Sequence, residues 1–172
     1  ESVDHPHRDK LVNILSTLKI ESLLEVGSGC GPNLRRLTKE FPNVEFVGID
    51  ISPEQVKEKD NLDITFGDVC DIPFDPQSFD CVLADAVLLY IEPKYIKQAM
   101  DEITRVAKKY IILVEWDSES LVGDIKSWHW SRNYKAILEF YGFSVDKIKI
   151  EEWPNQSWLD HGYFYVATRK NQ

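Results

Sequence analysis

Residues 23–33 read LLEVGSGCGPN. A short apolar run carries one acid, and glycine then takes positions 27, 29 and 31. Glycine weakens strands and helices alike, so three within five residues mark a turn where the backbone bends sharply or is approached closely. Pro32 follows at the position a helix tolerates best, and Leu34, Leu37 and Phe41 continue at helical spacing. The stretch reads as strand, glycine turn, helix. In an open α/β sheet, ligands collect beyond the carboxyl end of such a strand, where the next helix offers free N–H groups and its positive end. The expectation is a ligand lying against bare peptide at all three glycines.

The same alternation extends outward. RDKLVNILSTL (8–18) places Leu11, Ile14, Leu15 and Leu18 on one helical face. Further strands are predicted at 44–50, 62–66, 79–85 and 110–116. Ser52-Pro53-Glu54-Gln55 is a capping box that starts a short helix, and 94–107 is a long helix with Ile96, Ala99, Met100 and Ile103 on its apolar stripe. YIILVEW (110–116) is apolar on both faces and reads as central. A helix is predicted over 129–141, ending at Gly142. Strands at 143–150 and 162–170 close the chain. They are joined by a tryptophan-rich loop with no helix between them, hence an antiparallel pair. The fold class is α/β: a Rossmann-like, doubly wound, mostly parallel seven-stranded sheet with an antiparallel C-terminal strand and helices on both faces. It reads as one domain over 1–172.

Composition narrows the function. The 29 acids outweigh 20 basic residues for a net charge of −9. A nucleic-acid binder needs a basic face to displace counterions, and the longest candidates here are the pairs Arg35–Arg36 and Lys108–Lys109, which argues against DNA or large RNA. Cys30, Cys70 and Cys81 form no CxxC pair and are odd in number. They point to a reducing compartment, read as the cytoplasm. No run approaches a membrane span, and no histidine pair has metal-ligand spacing, so neither membrane nor metal is expected.

Two nucleotide motifs fail at the glycine turn. A P-loop needs Lys-Ser/Thr after its last glycine, where this chain has Pro32-Asn33. A dinucleotide fingerprint needs GxGxxG, but the spacing here is GxGxG, and Glu25 would repel a pyrophosphate while suiting an amino group. At these residues the sequence resembles the class I S-adenosylmethionine-dependent methyltransferases, over roughly 20–115. Glu25-Val-Gly27-Ser28-Gly29-Cys-Gly31 looks like the family's first motif, Asp50 like the acid on the ribose hydroxyls, and Gly67-Asp68 like the acid on the adenine amino group. Ile72-Pro73-Phe74, Ser78-Phe79-Asp80 and DAVLLYI (85–91) follow the type-11 branch.

The resemblance implies S-adenosylmethionine as cofactor, with S-adenosylhomocysteine as product. The implied cofactor set comprises Glu25, Gly27, Ser28, Gly29, Gly31, Asn33, Asp50, Ile51, Gly67, Asp68, Val69 (through its N–H), Ala84 and Asp85. The branch's usual Pro-Gly-Gly turn before the fifth strand is absent.

Methyl transfer at an activated sulfonium needs orientation and dryness first, and a base only if the acceptor must lose a proton. Asp85, where amine-methylating relatives begin an Asn/Asp-Pro-Pro-Tyr motif, is the first catalytic candidate; it could equally bind the methionine moiety. Tyr90 lines the acceptor pocket or simply packs. His129 is a candidate base within 115–134, an aromatic segment expected to arch over the cofactor as a lid. His161 is expected at a strand start, and His5 and His7 in a mobile terminus. The acceptor reads as a small molecule, with a homodimer or partner subunit open. The alternatives are a non-catalytic cofactor-binding subunit and an NAD-dependent oxidoreductase.

Overall fold

The computed structural model of the chain describes residues 5–119, 122–124 and 128–170. Five strands run parallel: β1 (Ser22–Val26), β2 (Glu45–Asp50), β3 (Ile64–Phe66), β4 (Phe79–Asp85) and β5 (Ala107–Trp116). The short strands β6 (Val122–Asp124) and β7 (His129–Ser131) pair with each other as a separate hairpin. β8 (Phe143–Lys149) and β9 (Gly162–Arg169) complete the main sheet, in the order β3-β2-β1-β4-β5-β9-β8, with β9 antiparallel to both neighbours. From β1 the chain winds outward to β3, then returns to lay β4 on the other side of β1. That reversal is the topological switch point, and it opens a crevice above the carboxyl ends of β1 and β4.

Alternation along each strand sends neighbours to opposite faces. Leu24, Val26, Val82 and Ile111 lie in one core, under α4 (Ile96–Val106) and α5 (Tyr134–Phe140), which contribute Ala99, Met100, Ile103 and Leu138. Leu23, Cys81, Leu83 and Ile112 lie in the other, under α1 (Pro6–Ser16) and α2 (Pro32–Glu40), which contribute Leu11, Leu15, Leu34 and Leu37. The run Ile111–Val114 in β5 is fully buried, as a central strand requires. The short α3 (Pro53–Lys57) starts where expected, with the Ser52 hydroxyl accepting from Gln55 N–H.

Three expectations change. Residues 129–131 are strand β7 rather than the start of a helix; Trp130 is buried between two half-buried neighbours, and α5 begins only after Asn133, whose side chain accepts from Ala136 N–H at 3.0 Å. The connection from β8 to β9 does contain a helix, α6 (Gln156–His161), capped by the Asn155 side chain on Ser157 N–H. The N-terminus is not a loose tail from residue 5 onward. His5 precedes α1, and His7 within it is 5% exposed. Of the expected lid, residues 120, 121 and 125–127 lie outside the described residues.

Candidate active site

The glycine turn sits at the end of β1, facing the switch point. All three glycines have φ between +56° and +82°, where a side chain is strained. They differ in what surrounds them. A Cβ at Gly27 would lie 2.4 Å from Val87, and one at Gly31 2.4 Å from Leu62 and 2.6 Å from Ile64. Close approach at 27 and 31 is therefore by the protein's own side chains, which corrects the expectation of a ligand at all three. Gly29 alone has room beside it, and its N–H donates to Asp50 Oδ2 at 2.8 Å.

The acids step outward across the rim, because the register matches Glu25 to Gly48 and Asp50 to Phe66, so that Asp50 and then Asp68 each lie two residues beyond the level of the acid before. Asp50 ends β2 and accepts from Gly29 N–H and Ser52 N–H, which fixes its rotamer and leaves lone pairs for a ligand diol. Asp68 follows β3 and accepts from Cys70 N–H, as an Asx turn; Val69 beside it is buried. Ile51 and Phe66, 63% and 60% exposed, are two large apolar side chains next to these acids. Phe66 was not singled out in the sequence; an aromatic directly before Gly67-Asp68 was the available signal.

Glu25 is 2% exposed, and its Oε2 is buried with no hydrogen-bond partner. Oε1 accepts from Asn33 Nδ2 at 2.7 Å. Burial raises the Glu25 pKa to about 8, helped by the charges of Asp85 and Asp50 and opposed by the Asn33 hydrogen bond and the Arg8 charge. A buried carboxyl with one unsatisfied oxygen beside a bare turn fits a cationic amino group, which would hold it ionised.

Asn33, in the first turn of α2, joins the two sides of the crevice. Its Nδ2 also donates to Asp85 Oδ2 at 2.8 Å, and its Oδ1 accepts from Arg8 Nε at 2.7 Å. Asp85 ends β4 and accepts a second hydrogen bond at the same oxygen, from His7 Nε2 at 2.7 Å. Burial would raise the Asp85 pKa, but the hydrogen bonds from His7 and Asn33 and the charges of His7 and Arg8 outweigh it and hold the pKa below the usual value. The carboxylate assigns a proton to His7 Nε2. His7 Nδ1 contacts His5 Nδ1. Asp85 is thus the support of a buried imidazole, a partner that sequence reasoning missed because residues 7 and 85 meet only in the fold.

The segment after Asp85 is held from below. Glu115, fully buried in β5, accepts from the N–H groups of Val87, Leu88 and Leu89. Burial lifts its pKa to about 8 against those three donors. Arg132, 4% exposed, donates from Nη1 to Leu88 O at 2.8 Å and from Nη2 to Ile91 O. Both were overlooked as ordinary members of a strand and a helix. Between them they fix the short 3₁₀ turn Leu88–Tyr90, which presents Tyr90 at the rim, 54% exposed.

Tyr90 and His129 do come together, with ring centroids 5.1 Å apart. The ring of His129 also stacks on Trp116 at 5.2 Å. Trp116 meets Trp158 at 5.9 Å and His161 at 6.2 Å. Ala84 is buried at the end of β4, and Ser28 and Gly67 line the turn and the third strand end. Among the described residues, no group of three His, Cys, Asp or Glu is arranged to hold a metal ion, and no helix is long and apolar enough to cross a membrane.

This sheet order, with a glycine turn after β1 and acids at the ends of β1, β2 and β3, is that of the class I S-adenosylmethionine-dependent methyltransferases. Residues 23–110 match the model of the methyltransferase domain family, and the chain belongs to that family. A malonyl-[acyl-carrier protein] O-methyltransferase of Herminiimonas arsenicoxydans is 30% identical over 101 residues, covering 58% of this chain and 38% of that protein. A demethylmenaquinone methyltransferase of Staphylococcus carnosus is 27% identical over 159 residues, covering 87% of this chain and 65% of its own length. The chain thus spans less than two thirds of the length of these curated relatives. Among solved structures, the 1,6-didemethyltoxoflavin-N1-methyltransferase of Burkholderia thailandensis, with 1,6-didemethyltoxoflavin and S-adenosylhomocysteine bound, has a TM-score of 0.74 at 12% identity, covering 96% of this chain and 78% of that one.

Proposed function

We propose that the chain, acting as one domain over 1–172, binds S-adenosylmethionine and transfers its methyl group to a small-molecule acceptor by in-line displacement. One observation carries the reading: Glu25, Asp50 and Asp68 come at or just beyond the ends of three adjacent parallel strands around a left-handed glycine turn, with one buried Glu25 oxygen unpartnered. The cofactor, when bound, supplies a methyl group already activated on a cationic sulfur.

The chain's own residues do the rest. Asp50 accepts from the ribose hydroxyls, and Asp68 from the adenine amino group, with Val69 N–H and Gly67 beside it. Ile51 and Phe66 flank the adenine ring. Glu25 Oε2 takes the α-ammonium, while the turn at Ser28 and Gly29, with Asn33, frames the methionine tail, and Gly27 and Gly31 give the turn its shape. Ala84 and Asp85 form the floor under the sulfur. A net acidic crevice tolerates the sulfonium charge.

Asp85 acts by positioning. Its carboxylate holds His7 in place and, through Asn33, ties the β4 end to Glu25. Tyr90 and His129 line the acceptor side. The relatives' names, which include demethylmenaquinone and 1,6-didemethyltoxoflavin, support a small-molecule acceptor. An NAD pyrophosphate would meet the Glu25 carboxyl, which counts against an oxidoreductase.

Calorimetry with S-adenosylmethionine, S-adenosylhomocysteine and NAD tests the cofactor. The first two should give saturable heats and NAD none. No heat from either sulfur nucleoside overturns the reading. A turnover assay that follows S-adenosylhomocysteine release separates an enzyme from a non-catalytic cofactor-binding subunit.

A further inference from the structure

Resting on that reading, we infer that the acceptor is a planar aromatic molecule, taken into a circuit of aromatic side chains that closes over the ends of β4 and β5. The contacts run without a break. Tyr90 meets His129, His129 stacks on Trp116, and Trp116 meets Trp158 edge to face. Trp158 stacks on Trp153 at 4.4 Å with planes 16° apart, and Trp153 meets His7 at 4.6 Å. His7 then bonds Asp85, five residues before Tyr90 on the same loop, so the chain of rings returns to its start.

The members come from six separate places: the start of α1, the loop after β4, the end of β5, β7, the loop after β8, and α6. Trp153 and Trp158 pack against the edge of the second core, while Tyr90 and Trp116 stand at or beyond the carboxyl ends of β4 and β5 and His129 stacks on Trp116. Most are only partly buried.

Two features select the ligand. Stacked pairs with nearly parallel planes, Trp153–Trp158 and Trp116–His129, offer flat faces that a further flat ring extends, and aromatic pairs favour such offset arrangements. Trp116 Nε1 is buried and has no hydrogen-bond partner, although a buried indole N–H normally finds one. A ligand heteroatom, such as a hydroxyl oxygen, a carbonyl or a ring nitrogen, would satisfy it. The carboxylate in the circuit, Asp85, is already engaged by His7 and Asn33, which disfavours an acceptor that brings its own ammonium.

The test uses a matched pair of probes, 2-naphthol and decahydro-2-naphthol, which share a bicyclic frame and a hydroxyl and differ in flatness. Both are titrated into the protein saturated with S-adenosylhomocysteine, and binding is followed by tryptophan fluorescence and calorimetry. The flat probe should bind at least tenfold tighter. Trp116→Leu and, independently, Trp153→Leu should each weaken it about tenfold with the S-adenosylhomocysteine affinity within twofold; Trp128→Leu, outside the circuit, should leave it unchanged.

Equal affinity of the two probes, no binding of 2-naphthol, or indifference to both circuit variants overturns the inference while leaving the cofactor reading intact. If S-adenosylhomocysteine does not bind, the cofactor reading fails, and the same titration of the ligand-free protein still decides the aromatic site. Circular dichroism confirms that each variant folds.

Discussion

The two sides of the crevice are built on different principles. On the β1–β3 side, each candidate group is a carboxylate at or beside a strand end, held by N–H groups of the adjoining turns or by Asn33 in the first turn of α2. Asp50 is held by Ser52 and by Gly29, and Asp68 by Cys70. On the β4–β5 side, the groups are rings from distant segments, and what holds them is buried beneath. Glu115 and Arg132 fix the turn under Tyr90, and Asp85 fixes His7. The first side is a local construction, and the second depends on the whole C-terminal half being folded. A fixed cofactor needs the same few atoms met in the same way, whereas an acceptor site can be assembled from whatever loops cross the rim.

Removing a buried support from the second side should break the comparison hardest. Glu115→Ala strips the acceptor from three N–H groups, each costing about 1–3 kcal/mol when left unsatisfied, partly offset by no longer burying an acid; the net expected loss is about 4 kcal/mol of unfolding free energy. Urea denaturation measures it. If the sides are independent as described, S-adenosylhomocysteine affinity at low temperature should stay within about threefold. A loss below about 1 kcal/mol would mean that the turn holds itself.

The reciprocal change is smaller. Asp50→Ala removes the diol acceptor and leaves Gly29 N–H and Ser52 N–H to water, at the exposed end of β2. S-adenosylhomocysteine affinity should fall about 100-fold, which is about 2.7 kcal/mol, with stability changed by less than about 1 kcal/mol. Calorimetry reads the affinity, and the naphthol titration should be unaffected.

What the sequence disclosed follows the same division. The glycine turn, Glu25, Asp50 and Asp68 lie in short stretches whose order along the chain is their order along the rim, because parallel strands place successive ends side by side. The parallel order and the antiparallel C-terminal strand were legible from alternating periodicities for the same reason. His7, Trp153 and Trp158 were not, because nothing near residue 7 signals that residue 85 will lie over it. The helix expected over 129–141 failed on a local conflict. Asn133 is a strong N-cap, and the alternation His129-Trp130-Ser131 has the period of a strand, but helix-forming residues after 134 extended the pattern too far back. The glycines carried a subtler error: scarcity of side chains was taken as room for a ligand, yet at 27 and 31 the space belongs to Val87, Leu62 and Ile64.

Glu25 sits on the seam, since Asn33 ties its carboxyl to Asp85, and it gives the finest discrimination. With a pKa raised from 4.5 to about 8, the folded ligand-free protein keeps a proton that the unfolded chain has lost throughout that window. Its contribution to stability is therefore full below about pH 4.5 and drains away as the pH rises toward 8. A bound ammonium reverses the preference, because the ionised carboxyl is then the better partner. Ligand binding should release close to one proton per site at pH 7, and the apparent affinity should climb about tenfold, or about 1.4 kcal/mol, between pH 7 and the plateau above about pH 9. Calorimetry in two buffers of different ionisation enthalpy counts the proton. Glu25→Gln should abolish both the release and the pH slope, and it should also flatten the decline in stability between pH 5 and 8. If the variant keeps the wild-type slope, the proton comes from elsewhere, and the ammonium does not rest on Glu25.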